Sequence, residues 1–287
     1  MQRYCSTRRP GFTLVELLVT LVIIAILASL TLAGLGTVRQ RGKEDATRAT
    51  IRKLHEIIMP MYESYLDRRV PATGAGRLAN IRKLLAREMP DVRADVLATQ
   101  NAVTALTDDF LKTGIVRGYA SYREAVTGWN DQYETAECLY MIVTRSGFQP
   151  EAMEQFRAEE IGDADGDGAP EFHDAWGVPI EFRRWAPGFT SVLQPATPVN
   201  HDPFDYSNAE SAAFALYPLI FSAGLDQSPG ISQLLGIGWS SLNLGPSVSD
   251  IYNYDGDTGT AGVQPIGTPT GPSAHLDNIT NHDLVTR

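Results

Sequence analysis

The sequence predicts an α+β protein in which a long N-terminal helical spine packs on a small antiparallel sheet. Three observations support this class: an apolar run that turns amphipathic near the start of the chain, a helical block in the middle, and short β-prone runs separated by turn residues towards the end. The 287 residues divide accordingly. The predicted segments are residues 1–11, a short basic leader; 12–38, the transmembrane half of the spine; 39–69, its amphipathic half; 70–161, a helical insertion between spine and sheet; and 162–287, a β-rich head.

The apolar half of the spine is long enough to cross a membrane. Residues 17–38 form a run of 22 residues without a charge, which as a helix covers ~33 Å, about the thickness of a bilayer's hydrocarbon core. An ordinary secretory signal has an apolar core of roughly 7 to 15 residues followed by a small-residue cleavage site, so this run is too long. Glu16 directly precedes this uncharged run, where an ionised carboxylate costs several kcal/mol unless a partner neutralises it.

After residue 38 the pattern becomes amphipathic, and the helix is expected to continue. Apolar side chains recur at spacings of three and four: Ile51, Leu54, Ile58, Met61, Tyr62 and Tyr65. Pro60 is expected to kink this helix or to mark its end. A second stripe ends before Pro90, and further helices are expected near residues 102–112, 118–127, 131–144 and 150–160.

The sequence pattern of the C-terminal part predicts a small sheet. Residues 179–185 and 213–221 are β-prone and are flanked by Gly, Pro, Asn and Asp, which favour turns. Residues 255–272 are rich in Gly, Thr and Pro and are expected to form a loop or flexible arm.

Charge and motifs argue against several classes of function. Removal of residues 1–11 leaves 21 basic and 34 acidic residues, a net charge of about −13, which disfavours nucleic-acid binding and favours divalent cations. Residues 74–79 match a dinucleotide-binding pattern by letter, but no strand precedes them. The chain has neither zinc-ligand spacing nor a Gly-x-Ser-x-Gly elbow. The chain is therefore expected not to be an enzyme.

The basic stub and residues 11–16, Gly-Phe-Thr-Leu-Val-Glu, resemble the type III signal of type IV pilins and type II secretion pseudopilins. The resemblance implies cleavage between Gly11 and Phe12 by a prepilin peptidase, N-methylation of Phe12, and assembly into a filament. It also implies that Glu16 meets the amino terminus of the neighbouring subunit. Cleavage removes Cys5, and Cys138, in an apolar stretch, is expected to be a buried small side chain.

An acidic turn near the start of the head predicts a metal site. Alternating carboxylates around glycines converge their oxygens, and their repulsion is relieved by a hard cation such as Ca²⁺. The spacing matches the first, third, fifth, ninth and twelfth places of an EF-hand-like loop, although its last residue is Asp and a strand-like stretch follows it. The predicted ligands are Asp163, Asp165, Asp167, Glu171 and Asp174.

Residues 174–180, 222–226 and 277–281 are similar, in order, to the characteristic elements of the type II secretion major pseudopilin. This second resemblance implies a calcium ion held by Asp226 and Asp277. It favours a structural subunit of a periplasmic pseudopilus, anchored by a single pass in the bacterial inner membrane with its head in the periplasm. The implied partners are copies of the chain, other pseudopilins, the prepilin peptidase and the inner-membrane secretion assembly platform, with no nucleic acid.

Two other functions remain open from the sequence. The chain is also compatible with a subunit of a type IV pilus or DNA-uptake pilus. A third alternative is a membrane-tethered, calcium-dependent binding module that does not polymerise.

Overall fold

A computed structural model gives the architecture of the chain as α+β. The structure describes residues 11–70, 72–97, 118–130, 132–195, 200–211, 213–232 and 265–286. The chain forms two compact units, Met1–Lys43 and Glu44–Arg287. The predicted helix near residues 102–112 lies outside the described residues.

Helix α1, Leu14–Glu63, is a single helix of 50 residues, which corresponds to ~75 Å. In its apolar half, Leu17, Ile24 and Leu30 are each more than half exposed. Within the described residues, α1 is the one helix whose length and composition are sufficient to cross a membrane. Pro60 lies inside α1, and the helix ends three residues later, so the proline is close to the end as predicted.

The predicted stripe on the second half of α1 is confirmed, and its last member, Tyr65, lies just beyond the end of the helix at Glu63. Ile51, Leu54, Ile58, Met61, Tyr62 and Tyr65 are all 3% exposed or less. They belong to one hydrophobic core with Phe182 and Ile220 of the head. Each fully buried aliphatic side chain of this kind contributes about 1.5–3 kcal/mol. The hydroxyl of Tyr62 donates to the carbonyl of Leu216 (2.9 Å), which satisfies the polar end of a buried ring.

The middle of the chain is helical where it is described. The further helices are α2, Gly74–Glu88; α3, Arg93–Leu97; α4, Tyr119–Ala125; and α5, Glu134–Arg145. The helix predicted near residues 150–160 is wrong in type, because two short 3₁₀ turns, Ala152–Gln155 and Ala158–Glu160, occupy that stretch. Between them Phe156 adopts an extended backbone and packs its ring 4.4 Å from that of Phe172.

Helix α5 is buried on almost every side. It packs against neighbouring helices and strands, and its residues from 134 to 143 are buried except Tyr140. Cys138 is fully buried in a core cluster with Tyr122 and Met141, as expected from its apolar neighbours, and burial raises the pKa of its thiol. A helix in such surroundings normally has no charged side chain facing inwards, which makes the fully buried Glu137 anomalous.

Five short strands form two antiparallel sheets in the described part of the head. The strands are β1, Ile161–Gly162; β2, Glu171–Phe172; β3, Glu181–Arg183; β4, Leu219–Ser222; and β5, Ile279–Thr280. Strands β1 and β2 pair with each other, and the other three form a sheet in the order β3-β4-β5. Because β1 pairs with β2, the acidic residues between them lie in a closed turn.

Candidate functional site

The first candidate site is the start of α1, where Glu16 caps its own helix. The backbone N–H and the hydroxyl of Thr13 both donate to Oε2 of Glu16 at 2.9 Å, and the N–H of Glu16 donates to Oγ1 of Thr13 at 3.2 Å. This reciprocal pattern is a capping box, in which the third helical residue satisfies the N-cap amide. Gly11 and Phe12 lie immediately before it and are exposed, Phe12 to 81%.

The second candidate site is the acidic turn, which contains two kinds of carboxylate. Asp163, Asp165 and Asp167 bring one oxygen each within 4.8 Å of the others, as predicted for a converging loop. Asp163 uses both oxygens to accept backbone N–H groups, from Gly166 (2.7 Å) and Gly168 (3.0 Å). Both glycines have positive φ, of 79° and 94°, which the tight turn requires. The hydrogen bonds of Asp163 therefore stabilise the backbone conformation of the turn.

Asp167 is also engaged with backbone donors. Its Oδ1 accepts the N–H of Ala169 (2.8 Å), and its Oδ2 accepts the N–H of Asn130 (2.6 Å), which precedes α5. The turn is thereby tied to the helical part of the chain. This leaves Asp165 as the aspartate of the turn with an unsatisfied oxygen, since its Oδ2 is buried without a donor in the described chain.

A second cluster of carboxylates includes a residue that sequence reasoning missed. Glu137 of α5, Asp165 of the turn and Glu171 of β2 each bring one oxygen within 4.8 Å of the other two. Glu137 and Glu171 are both 0% exposed. Among the described residues, no donor reaches either oxygen of Glu137, Oδ2 of Asp165 or Oε1 of Glu171.

Three ionised carboxylates so close together repel one another, and burial adds to the cost of ionising Glu137. Burial raises the pKa of Glu137 to about 9, and the charges of Asp167, Asp165 and Glu171 add to the effect. An imidazole also lies close by: Nε2 of His173 is 3.5 Å from Oε2 of Glu171, and the two form an ion pair only when the imidazole is protonated. The cluster can therefore gain a proton or a cation.

Asp174, the fifth predicted ligand, lies outside both clusters and has another set of partners. Its Oδ1 accepts the N–H groups of Trp176 (2.8 Å) and Val178 (2.9 Å), and its Oδ2 accepts the hydroxyl of Ser222 on β4 (2.6 Å). It thus closes the turn before β3 and fastens that turn to the sheet.

Asp226 and Asp277, 51 positions apart, lie side by side. The N–H of Asp226 donates to Oδ2 of Asp277 (3.0 Å), and Oδ1 of Asp226 accepts the N–H of Ser228 (2.8 Å). The two residues implied by the second resemblance are therefore neighbours in space, although a third acidic, His or Cys ligand does not join them among the described residues.

Comparison with known proteins identifies the first site. Residues 6–32 match the family model described as the prokaryotic N-terminal methylation motif. This is the prepilin-type signal of type IV pilins and pseudopilins, and in this chain it overlaps the start of an N-terminal helix that is long and apolar enough to cross a membrane. The motif implies processing by prepilin peptidase and filament assembly. Neither the search of curated proteins nor the search of solved structures found a match.

Proposed function

We propose that this chain is a structural subunit of a periplasmic pseudopilus in a type II secretion-like system. The observation that carries the proposal is the prepilin-type signal directly in front of an exposed apolar helix. Membrane lipid can cover that helix in the single subunit, and neighbouring helices can cover it in a filament. The subunit acts by assembly, with no catalytic step of its own.

The start of α1 supports a specific role for Glu16 in docking. Cleavage after Gly11 makes Phe12 the new amino terminus, which carries an ammonium group close to the Glu16 carboxylate in the sequence. In an apolar surrounding, removal of one partner from a buried ion pair costs about 3–5 kcal/mol, because the other charge stays unpaired. A pair between the Phe12 amine of one subunit and Glu16 of the next would therefore set the axial register.

The arrangement of the head favours a pseudopilin over other pilin-like subunits. The three segments that resemble the major pseudopilin meet at one end of the β3-β4-β5 sheet. Asp174 of the first segment accepts the hydroxyl of Ser222 in the second, and Asp226 of the second donates its N–H to Asp277 in the third. Asn281 of the third also accepts the N–H of Ile220 (2.8 Å) on β4. These contacts support a common structural unit built from the three segments.

Two substitutions at Glu16 separate its charge from its capping role. Glu16→Gln keeps a side chain that can close the capping box but removes the charge, whereas Glu16→Ala removes both. We expect both variants to insert and to be cleaved, and neither to form filaments in cells that express a matching secretion apparatus. Electron microscopy of sheared filaments and immunoblotting of the membrane fraction provide the readouts.

The two variants have different consequences if the account is wrong. Normal filaments from Glu16→Gln, with loss in Glu16→Ala only, would assign the residue to helix capping and reject the ion pair. Normal filaments from both variants would reject the docking role altogether. Thr13→Ala is a matched control: it removes the N-cap partner without changing charge, and it should reduce filament yield modestly, since a lost cap costs about 1 kcal/mol.

A further inference from the structure

The unexplained feature of the described chain is a cluster of three carboxylates, between helix α5 and the head, in which four buried oxygens lack a hydrogen-bond donor. Glu137 is 0% exposed, and both its oxygens lack a partner in the described part of the chain. Proteins normally satisfy buried polar atoms, because an unpaired one costs about 1–3 kcal/mol and more when it is charged. Four such oxygens, from Glu137, Asp165 and Glu171, occur together.

We propose that Glu137, Asp165 and Glu171 bind one Ca²⁺ ion that fastens helix α5 to the acidic turn and to strand β2. Two oxygens that are each about 2.4 Å from one calcium ion lie at most ~4.8 Å apart. Oxygens from the three residues lie within 4.8 Å of one another. The spacing is thus already suitable for a shared ion, without a change of backbone.

The type of ligand favours calcium over softer or smaller ions. The cluster offers carboxylate oxygens only, which suit hard cations, and Ca²⁺ accepts six to eight oxygens in irregular geometry. The ligands come from a helix, a turn and a strand, an arrangement that does not impose a regular octahedron. Mg²⁺ requires near-ideal octahedral geometry and gives up its water ligands reluctantly, so it should bind more weakly.

This site differs from the loop predicted by the sequence. In the EF-hand-like interpretation, the same ion is coordinated by five residues: Asp163, Asp165, Asp167, Glu171 and Asp174. In the structure, those three carboxylates accept hydrogen bonds from backbone N–H groups or from Ser222. The ion instead recruits Glu137 from outside the loop, 26 positions before Asp163. The bound ion would thus link helix α5, in the helical block, to the acidic turn and strand β2 of the head.

The test measures thermal unfolding of the full chain, purified in detergent and freed of metal with a chelator. For a dissociation constant on the order of 10⁻⁴ to 10⁻³ M, 10 mM Ca²⁺ should raise the melting temperature by about 3–10 °C. Glu137→Gln should abolish the rise. Without calcium this variant should melt at or above the wild-type temperature, because a neutral amide of nearly the same size replaces a buried carboxyl group that has no hydrogen-bond donor among the described residues. Isothermal titration should give one calcium per chain for the wild type and none for the variant.

Matched variants distinguish the buried site from surface screening. Glu154→Gln makes the same change at an exposed glutamate and should keep the full calcium response. Asp165→Asn keeps an acceptor for the N–H of Asp167, so it should fold, and it should lose the response as Glu137→Gln does. A wild type that does not respond to 10 mM Ca²⁺ would overturn the proposal. A response that persists in Glu137→Gln, or that Mg²⁺ reproduces equally in every variant, would overturn it as well. Filament formation is a separate readout, so failure here leaves the proposed function testable.

Discussion

Replacement of Asp174 by alanine should be one of the most damaging single changes in the head. The residue is 5% exposed and accepts three hydrogen bonds, from the N–H groups of Trp176 and Val178 and from the hydroxyl of Ser222. Its loss disconnects the turn before β3 from strand β4. The sequence predicts this carboxylate as a metal ligand, and in the structure both of its oxygens accept hydrogen bonds that hold the turn to the sheet.

The magnitude follows from where the three donors lie. Ser222 is 0% exposed, so its hydroxyl cannot find water and the loss there is about 2 kcal/mol. Trp176 and Val178 are half-buried. Water can partly replace the carboxylate at their N–H groups, which leaves about 1 kcal/mol each. The total of about 4 kcal/mol corresponds to a fall in melting temperature of roughly 8–16 °C for a unit of this size.

Near-ultraviolet circular dichroism of the full chain in detergent, followed during heating, measures this effect. Asp174→Asn is the matched control, because its amide oxygen can still accept the two N–H groups and only the bond from Ser222 is lost, at about 1–2 kcal/mol. Both variants should keep the calcium response of the wild type. A fall below about 3 °C for Asp174→Ala, or an equal fall for Asp174→Asn, would refute this reasoning.

Two further predictions concern pH and backbone. Burial lowers the pKa of His282 to about 4 from its ordinary value of 6.5, so between these pH values the unfolded chain binds a proton that the folded chain does not bind. The free energy of unfolding should therefore fall by about 3 kcal/mol from pH 6.5 to pH 4. Denaturant titrations at several pH values should show that the free energy of unfolding depends less on pH in His282→Gln than in the wild type. Gly224 has φ of 72°, and a Cβ there would overlap the carbonyl oxygen of Asp277. Gly224→Ala should therefore lower the free energy of unfolding by about 2–4 kcal/mol. The control Gly177→Ala should lower it by only about 1 kcal/mol, because φ is also positive there but no atom lies within 4 Å of the added Cβ. Equal losses in the two variants would contradict the steric cause.

The sequence predicted the local features of the chain well. The apolar run and the stripe on α1 are periodic patterns within one helix, so they could be identified without tertiary contacts. The convergence of Asp163, Asp165 and Asp167 is also local, because it follows from a short turn around two glycines. The capping box of Thr13 and Glu16 was equally local, since the Thr-x-x-Glu spacing is a known signal, and sequence reasoning missed it.

Features that depend on tertiary packing could not be predicted. Glu137 reaches the acidic turn because α5 packs against strand β2, a contact that no periodic pattern specifies. The neighbouring positions of Asp226 and Asp277 depend on the pairing of β4 with β5, and they were indicated by the resemblance to the major pseudopilin and by no local pattern. The helix predicted near residues 150–160 is replaced by two 3₁₀ turns, between which Phe156 has an extended backbone and its ring packs on Phe172. In each case long-range contacts decided the outcome over local preference.

The intact mass of this chain, recovered from the filament fraction of cells that have a prepilin peptidase, tests most directly whether it is a processed filament subunit. We expect a chain that begins at Phe12 and carries one additional methyl group at its amino terminus. Recovery of a chain that retains residues 1–11, or absence of the processed chain from filaments while it accumulates in the membrane, would contradict the account.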